Sequence, residues 1–174
     1  TCPVCKSLLK IENTAFEDLK GIPSRTWKKI FDARRNSNVL EIQGIFRFHE
    51  LILPIIPVED IIYLGEGQTP MVRANPELSS WVGAPFFVKN DGLNPSASFK
   101  DRGMASALSF LNHVIRVKNL DSVLGICAST GDTSAAAALY LSYLPKSKVR
   151  AVVLLPKGKV TSQQLSQPLG SGAQ

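Results

Sequence analysis

The sequence predicts an α/β fold in which a largely parallel sheet carries helices on both faces. Two observations point there. From residue 85 onward, short apolar runs alternate with longer segments whose apolar residues recur at helical spacing, giving three strand-then-helix units in succession. The last run, residues 149–155, is almost continuously apolar up to Pro156, the pattern of a strand covered on both faces.

Each element can be justified in order. Cys2 and Cys5 make a Cys-x-x-Cys turn, and an apolar-rich stretch follows over residues 8–11. Residues 24–35 read as a helix with Ser24 as N-cap and Trp27, Ile30 and Phe31 at helical spacing. Prolines stop any long element across residues 39–60, and Gly-Glu-Gly-Gln-Thr-Pro, residues 65–70, is a loop by composition. Residues 86–89 are a short strand, followed by a polar loop over residues 90–98. A helix over residues 99–118 then places Met104, Leu108, Leu111 and Ile115 on one face. Residues 122–127 form the second strand, residues 129–133 a turn and residues 135–144 the second helix. After the third strand, Lys157-Gly158-Lys159 turns the chain into a third helix beginning over residues 161–167. Three regions result: an amino-terminal segment to residue 12, a helical and extended region over residues 13–84, and the α/β part from residue 85 to residue 174.

Composition narrows the function classes. The 174 residues are 44% hydrophobic and 20% charged, enough for one ordinary core and too apolar for general disorder. The net charge of +6 is scattered along the chain, without the basic block that marks a nucleic-acid or lipid partner. The longest apolar runs, residues 51–58 and 135–144, fall far short of the roughly 20 residues a bilayer requires. The chain opens on Thr-Cys-Pro without a signal-peptide pattern or an initiating Met, and so reads as a processed or partial chain. Three cysteines argue against a disulfide framework and for a reducing compartment, the cytoplasm.

In a parallel α/β layer, ligands bind where loops leave the carboxyl ends of strands and enter helix N-termini. The loops over residues 90–100, 128–133 and 156–161 occupy that position, and the first two are rich in Ser, Thr, Asn and Gly. The first ends at Lys100, where a helix dipole disfavours a positive charge. A lysine so placed suits amine attack on a carbonyl to form a Schiff base; alternatively it is a solvated lysine paired with Asp101. The second loop, Ser129-Thr130-Gly131-Asp132-Thr133-Ser134, is either an anion cradle or a helix cap made by Ser129, Asp132 or Thr133.

Taken together, residues 65–70, the run Lys-Asn-Asp-Gly-Leu-Asn-Pro-Ser-Ala-Ser-Phe-Lys-Asp-Arg-Gly over residues 89–103, residues 128–134 and residues 155–159 resemble a known family. It is the threonine synthase family of pyridoxal-phosphate enzymes, of fold type II (tryptophan synthase β-like). The order and spacing of these segments match over essentially the whole chain, and the run ending Ser-Phe-Lys-Asp-Arg-Gly is highly specific. The resemblance implies an open three-layer α/β sheet and a lyase that turns O-phosphohomoserine and water into threonine and phosphate. It implies that Lys100 holds pyridoxal 5′-phosphate as a Schiff base and shuttles the proton. It assigns the substrate carboxylate to Ser129, Thr130, Gly131 and Thr133, and makes Asp132 a neighbour of the cofactor. Arg102 either serves the substrate phosphate or holds its loop.

Two departures stand out. Members often have Asn where this chain has Asp132, whose carboxylate would repel the cofactor's phenolic oxygen unless one of them is protonated; a displaced ring or a capping role for Asp132 are the other readings. The family's later phosphate-binding loop and pyridine-nitrogen partner follow anything present here, so these residues alone are expected to be inactive. Some members carry a four-cysteine zinc ribbon, and Cys2 and Cys5 resemble its second half, a half site that cannot close a tetrahedral zinc centre by itself. The full-length protein would act on a small molecule, bind neither nucleic acid nor membrane, and form a homodimer. A threonine dehydratase-like or cysteate synthase-like enzyme and a non-catalytic zinc-ribbon module are the alternatives. Cys127 reads as a buried small hydrophobe, Trp27 and Trp81 as packing residues, and His49 and His113 as non-ligands.

Overall fold

The computed structural model describes residues 2–9, 12–14, 16–39, 42–146 and 148–173, so residues 10 and 11 of the expected apolar stretch lie outside it. Helix α1 (Phe16–Lys20) leads to α2 (Ser24–Arg35), which starts where predicted but is capped differently. Pro23 occupies the N-cap, its carbonyl accepting from the amides of Thr26 and Trp27, and Ser24 makes no capping bond. A proline already fixed near helical φ, with no N–H to leave unsatisfied, suits a helix start. The predicted apolar face of α2 packs: Trp27 stacks on Phe31 at 5.4 Å, and Phe31 meets Phe48 edge-on at 4.8 Å. Phe48 ends a 3₁₀ turn (Gly44–Phe48) that runs into α3 (His49–Ile52). Arg34 of α2 forms a fork with the Glu50 carboxylate and holds α2 against α3.

The prolines of residues 39–60 keep every element there short, as expected. A second 3₁₀ turn (Val58–Asp60) delivers a buried carboxylate, Asp60, to the helix that follows later in the chain. Strand β1 (Met71–Arg73), helix α4 (Pro76–Val82) and strand β2 (Phe87–Lys89) come next. Here the expectation needs correcting. The run over residues 86–89 does not open the parallel layer but pairs antiparallel with β1, from Met71↔Lys89 to Arg73↔Phe87. Both strands are three residues long and exposed throughout, so neither has the side-chain alternation that reveals a partner. Trp81 also differs: it lies on this outlying hairpin, 85% exposed, and packs against no core.

Helix α5 (Lys100–Val117) buries Leu108 and Ile115, with Met104 and Leu111 half-buried beside them, as its periodicity predicted. Strand β3 (Val123–Ala128), helix α6 (Asp132–Leu141) and strand β4 (Val149–Leu154) complete a parallel unit, paired in register from Val123↔Val149 to Ala128↔Leu154. Helix α6 begins three residues before the predicted start and is buried over Ser134 to Ala138, Tyr140 and Leu141. Its small residues let α5, α7 (Ser162–Gly170) and the sheet all approach it closely. Thr161 and Gln164 cap α7 reciprocally, in agreement with a helix starting near residue 161.

The expected sheet with helices on both faces is met on one face only among the described residues. Helix α6 covers the face of Gly125 and Ala151, whereas Leu124 and Ile126 on the other are 56% and 58% exposed. The apolar run of β4 therefore reports a face suited to burial that no described element covers. Among the described residues, no helix is long and apolar enough to cross a membrane.

One hydrophobic cluster joins the two halves: Phe46, Ile56 and Ile61 meet Leu108, Ile115, Tyr140 and Leu141. Beside it, Arg116 clasps Asp60 with two donors at 2.7 and 2.6 Å, and His113 Nδ1 lies 2.6 Å from the same carboxylate. His113 thereby anchors residues 58–62. The Arg116 guanidinium, more than His113, holds the Asp60 carboxyl below the ordinary aspartate range. A depressed folded pKa gives stability that is present above the unfolded value and lost as pH falls through the folded one. Asp60→Asn is therefore expected to lower the thermal midpoint by several degrees at neutral pH and to flatten its fall below about pH 4. An identical acid profile in the variant, measured by circular dichroism melts, would contradict the assignment.

Candidate active site

The parallel register sets Ala128 beside Leu154, so the loops leaving β3 and β4 share one edge of the sheet. Lys100 is the first residue of α5 and Asp132 the first of α6. Ser98 brings these two helix starts together. Its buried hydroxyl donates to Asp132 Oδ2 at 2.9 Å, and the same oxygen accepts from the Lys100 amide at 3.3 Å. Asp132 is thus engaged across the site and makes no side-chain cap for its own helix, whose N-cap is Gly131.

The solvated ion pair between Lys100 and Asp101 is absent. Successive helical residues point about 100° apart. Asp101 turns inward, with no solvent exposure, and accepts from the Ser96 amide at 2.7 Å and the Ser96 hydroxyl at 2.6 Å. Its charge holds the 90–98 loop in place. The Lys100 ammonium instead lies 4.6 Å from the centroid of the Phe99 ring, half-buried, with no carboxylate in ion-pair range among the described residues.

Residues 129–133 present donors. The Gly131 amide bonds to Ser129 Oγ at 3.3 Å and the Ser134 hydroxyl to the Gly131 carbonyl at 2.7 Å, fixing the turn from within. No hydrogen bond among the described residues engages the amides of Thr130, Asp132 and Thr133 or the hydroxyls of Thr130 and Thr133. Free amides at the start of a ten-residue helix, with hydroxyls beside them, are suited to a carboxylate. A lysine amine without an anionic partner and an anion-binding turn, joined by one serine, fit a cofactor held by a lysine and an amino-acid substrate held by its carboxylate. Lys100 would hold such a cofactor, with Asp132 beside it.

Arg102 is occupied elsewhere. Its Nη2 donates to Asp91 Oδ1 at 2.7 Å and to Thr69 Oγ1 at 3.0 Å, while the Thr69 hydroxyl donates to the same Asp91 oxygen at 2.9 Å. The Arg102 hydrogen bond, reinforced by Thr69, lowers the Asp91 carboxyl pKa. This network ties residues 65–70 to the 90–98 loop. Cys2 and Cys5 form a tight knuckle closed by the Lys6 amide on the Cys2 carbonyl, with Lys6 at φ +61°. The Ser7 hydroxyl, 2.8 Å from Cys5 Sγ, is the main cause that draws the Cys5 thiol down to about 7. No group of three or more His, Cys, Asp or Glu able to hold a metal occurs among the described residues. Cys127 is half-buried, and burial pushes its thiol up. Ser98, Asp101, Asp91 and Thr69 escaped the sequence reading as anchors; a polar residue in every second or third position of one loop was the signal available.

A lysine opening one helix and a donor-rich turn opening the next, joined through Ser98 on a parallel α/β unit, suit a protein that holds its cofactor by a lysine. The model of the pyridoxal-phosphate dependent enzyme family matches residues 62–174, and the chain belongs to that family. Within it, the chain is 37% identical over 132 residues to threonine synthase of Halalkalibacterium halodurans, covering 76% of this chain and 34% of that protein. It is 39% identical over 140 residues to threonine synthase of Synechocystis sp., covering 79% and 34% respectively. The chloroplastic threonine synthase 2 of Arabidopsis thaliana is 32% identical over 170 residues, covering 96% of this chain and 32% of the relative. The chain spans about a third of the length of these curated relatives.

Proposed function

We propose that the protein carrying this chain converts O-phosphohomoserine and water into threonine and phosphate. The observation that carries the reading is the Ser98 bridge, which ties the helix start that Lys100 opens to the helix start that follows the donor-rich turn of residues 129–131. Similarity to threonine synthases on both sides of this site supports the choice of reaction. Pyridoxal phosphate supplies the electron sink when bound. The chain's own groups do the rest. The amides of Thr130, Asp132 and Thr133, with the hydroxyls of Ser129, Thr130 and Thr133 and the backbone of Gly131, grip the substrate carboxylate. That grip orients the substrate Cα–H toward Lys100, and orientation of this kind can supply several kcal/mol. Lys100 Nζ takes the Cα proton and returns it later in the cycle. Arg102 steadies the loop through Asp91 and Thr69.

Around this centre we place residues 13–84 and 85–174 as successive parts of a fold-type II enzyme, with the exposed face of β3 and β4 covered in an open three-layer sheet. We assign the activity to a homodimer in the cytoplasm, the compartment that three unpaired cysteines suit. Residues 1–12 are read as the remnant of a zinc-ribbon-like segment in which Cys2 and Cys5 supply two thiolates, and zinc there needs two further ligands. The test of the reaction uses the holoenzyme. Phosphate release from O-phosphohomoserine, with threonine formed in equal amount, is expected; ammonia release from threonine without phosphate chemistry would replace this reading with a dehydratase.

A further inference from the structure

Residues 65–70 touch the first turn of α5 and the last turn of α6, and among them is a buried acid that the chemistry above does not use. Glu66 has no solvent exposure. Its Oε2 accepts from the Tyr140 hydroxyl at 2.9 Å and from the Leu64 amide at 3.1 Å, while Oε1 is buried without a partner. Tyr140 is fully buried and lies on α6, eight residues after Asp132. One and three residues on from Glu66, the same loop grips residues 90–98 and α5. The Gly67 amide donates to Asn94 Oδ1 at 3.0 Å, and Thr69 accepts from Arg102 of α5.

We propose that Glu66 is a positioning residue: through the Tyr140 hydroxyl it sets α6, and with it residues 129–133, in fixed relation to the loop that also holds the Lys100 end of α5. The chemistry of the pair supports this. A buried carboxyl is costly, and an apolar pair of similar size would stabilise the same core as well or better. What the acid provides and an apolar residue does not is a directional bond to one atom of one helix. Burial, aided by the nearby Asp101 charge, pushes the Glu66 carboxyl above its ordinary range, and burial pushes the Tyr140 phenol up likewise. The Tyr140 phenol thus keeps the proton that it donates to Glu66 Oε2. The role assigned to residues 129–133 rests on the proposed function; the positional link does not.

The test compares Glu66→Gln, Glu66→Ala and Tyr140→Phe in the holoenzyme. Hydrogen exchange is read at residues 129–133 and along α5, together with KM and kcat for O-phosphohomoserine. Glutamine keeps an acceptor for both donors, so Glu66→Gln is expected to retain wild-type exchange and a KM within about twofold. Tyr140→Phe and Glu66→Ala are expected to speed exchange at residues 129–133, leave α5 protected, and raise KM about tenfold with kcat changed far less. A fall in thermal midpoint for Tyr140→Phe with exchange at residues 129–133 and KM both unchanged would overturn the proposal. Should Glu66→Ala fail to fold, Tyr140→Phe, which removes one oxygen, decides alone. If O-phosphohomoserine is not turned over, the reaction assignment fails, while the exchange measurement, needing no substrate, still decides the role of Glu66.

Discussion

Replacing Lys100 with alanine in the holoenzyme is expected to lower turnover of O-phosphohomoserine on the order of a thousandfold or more, the loss that follows removal of a positioned proton-transfer group. The same variant is expected to lose the cofactor adduct that borohydride fixes in the wild type, mapped to the peptide containing residue 100. Stability should hardly change. The Lys100 side chain makes no ion pair among the described residues, and its contact with the Phe99 ring is worth at most about 1 kcal/mol at such a site. A variant that unfolds would show that Lys100 is structural, and an adduct on another lysine would remove it from the site. Lys100→Arg is expected to behave like alanine, since a guanidinium keeps its proton and forms no Schiff base.

The second large effect is one of stability. Gly44 has φ +55°, and a Cβ built there would lie 2.3 Å from the Glu66 carbonyl oxygen and 2.7 Å from Tyr63 Cε2. Gly44→Ala combines about 1–2 kcal/mol for the left-handed backbone with about 1–3 kcal/mol for overpacking. The first obstacle is backbone and cannot rotate away. Urea denaturation of the holoenzyme should show the loss as a lower midpoint with the slope preserved. Gly103→Ala serves as the contrast: it lies within α5 with nothing within 4 Å of the added methyl, and alanine is favoured over glycine in a helix by about 1 kcal/mol. Equal midpoints for Gly44→Ala and wild type would mean that residues 44 and 66 do not approach as described.

How much of this was legible depends on whether an element's partner lies nearby in the chain. Helix α5 declared itself because Met104, Leu108, Leu111 and Ile115 fall on one face over 18 residues, and β4 because its apolar run is bounded by a proline. Strand β1 did not, since three exposed residues have no period. The start of α6 was set three residues late because Asp132, Thr133 and Ser134 are as common in turns as in first helical turns; here the Ser134 hydroxyl bonds back to Gly131 and continues the helix. In the candidate site, the places of Lys100 at a helix start and of residues 129–131 in the turn before the next helix were legible from position. The part played by Asp101 was not, because adjacency to Lys100 suggested a pair while helix geometry sends it back to Ser96. Glu66 could not be assigned at all, its partner Tyr140 standing 74 residues away.

That separation bears on how the site comes together in time. Strand β3, helix α6 and strand β4 are consecutive and close on one another over short loops. The ties that hold the site span much more chain: 34 residues from Ser98 to Asp132, 56 from Asp60 to Arg116 and 74 from Glu66 to Tyr140. The entropy of closing a loop rises with its length and must be met before the contact rewards it. The parallel unit therefore has the means to form first, with Lys100 and residues 129–133 already on adjacent helix starts, while the clamp of residues 60–70 arrives last. The fixed placing of the two helix starts is thus the final property the chain acquires, and the first it loses when the clamp opens.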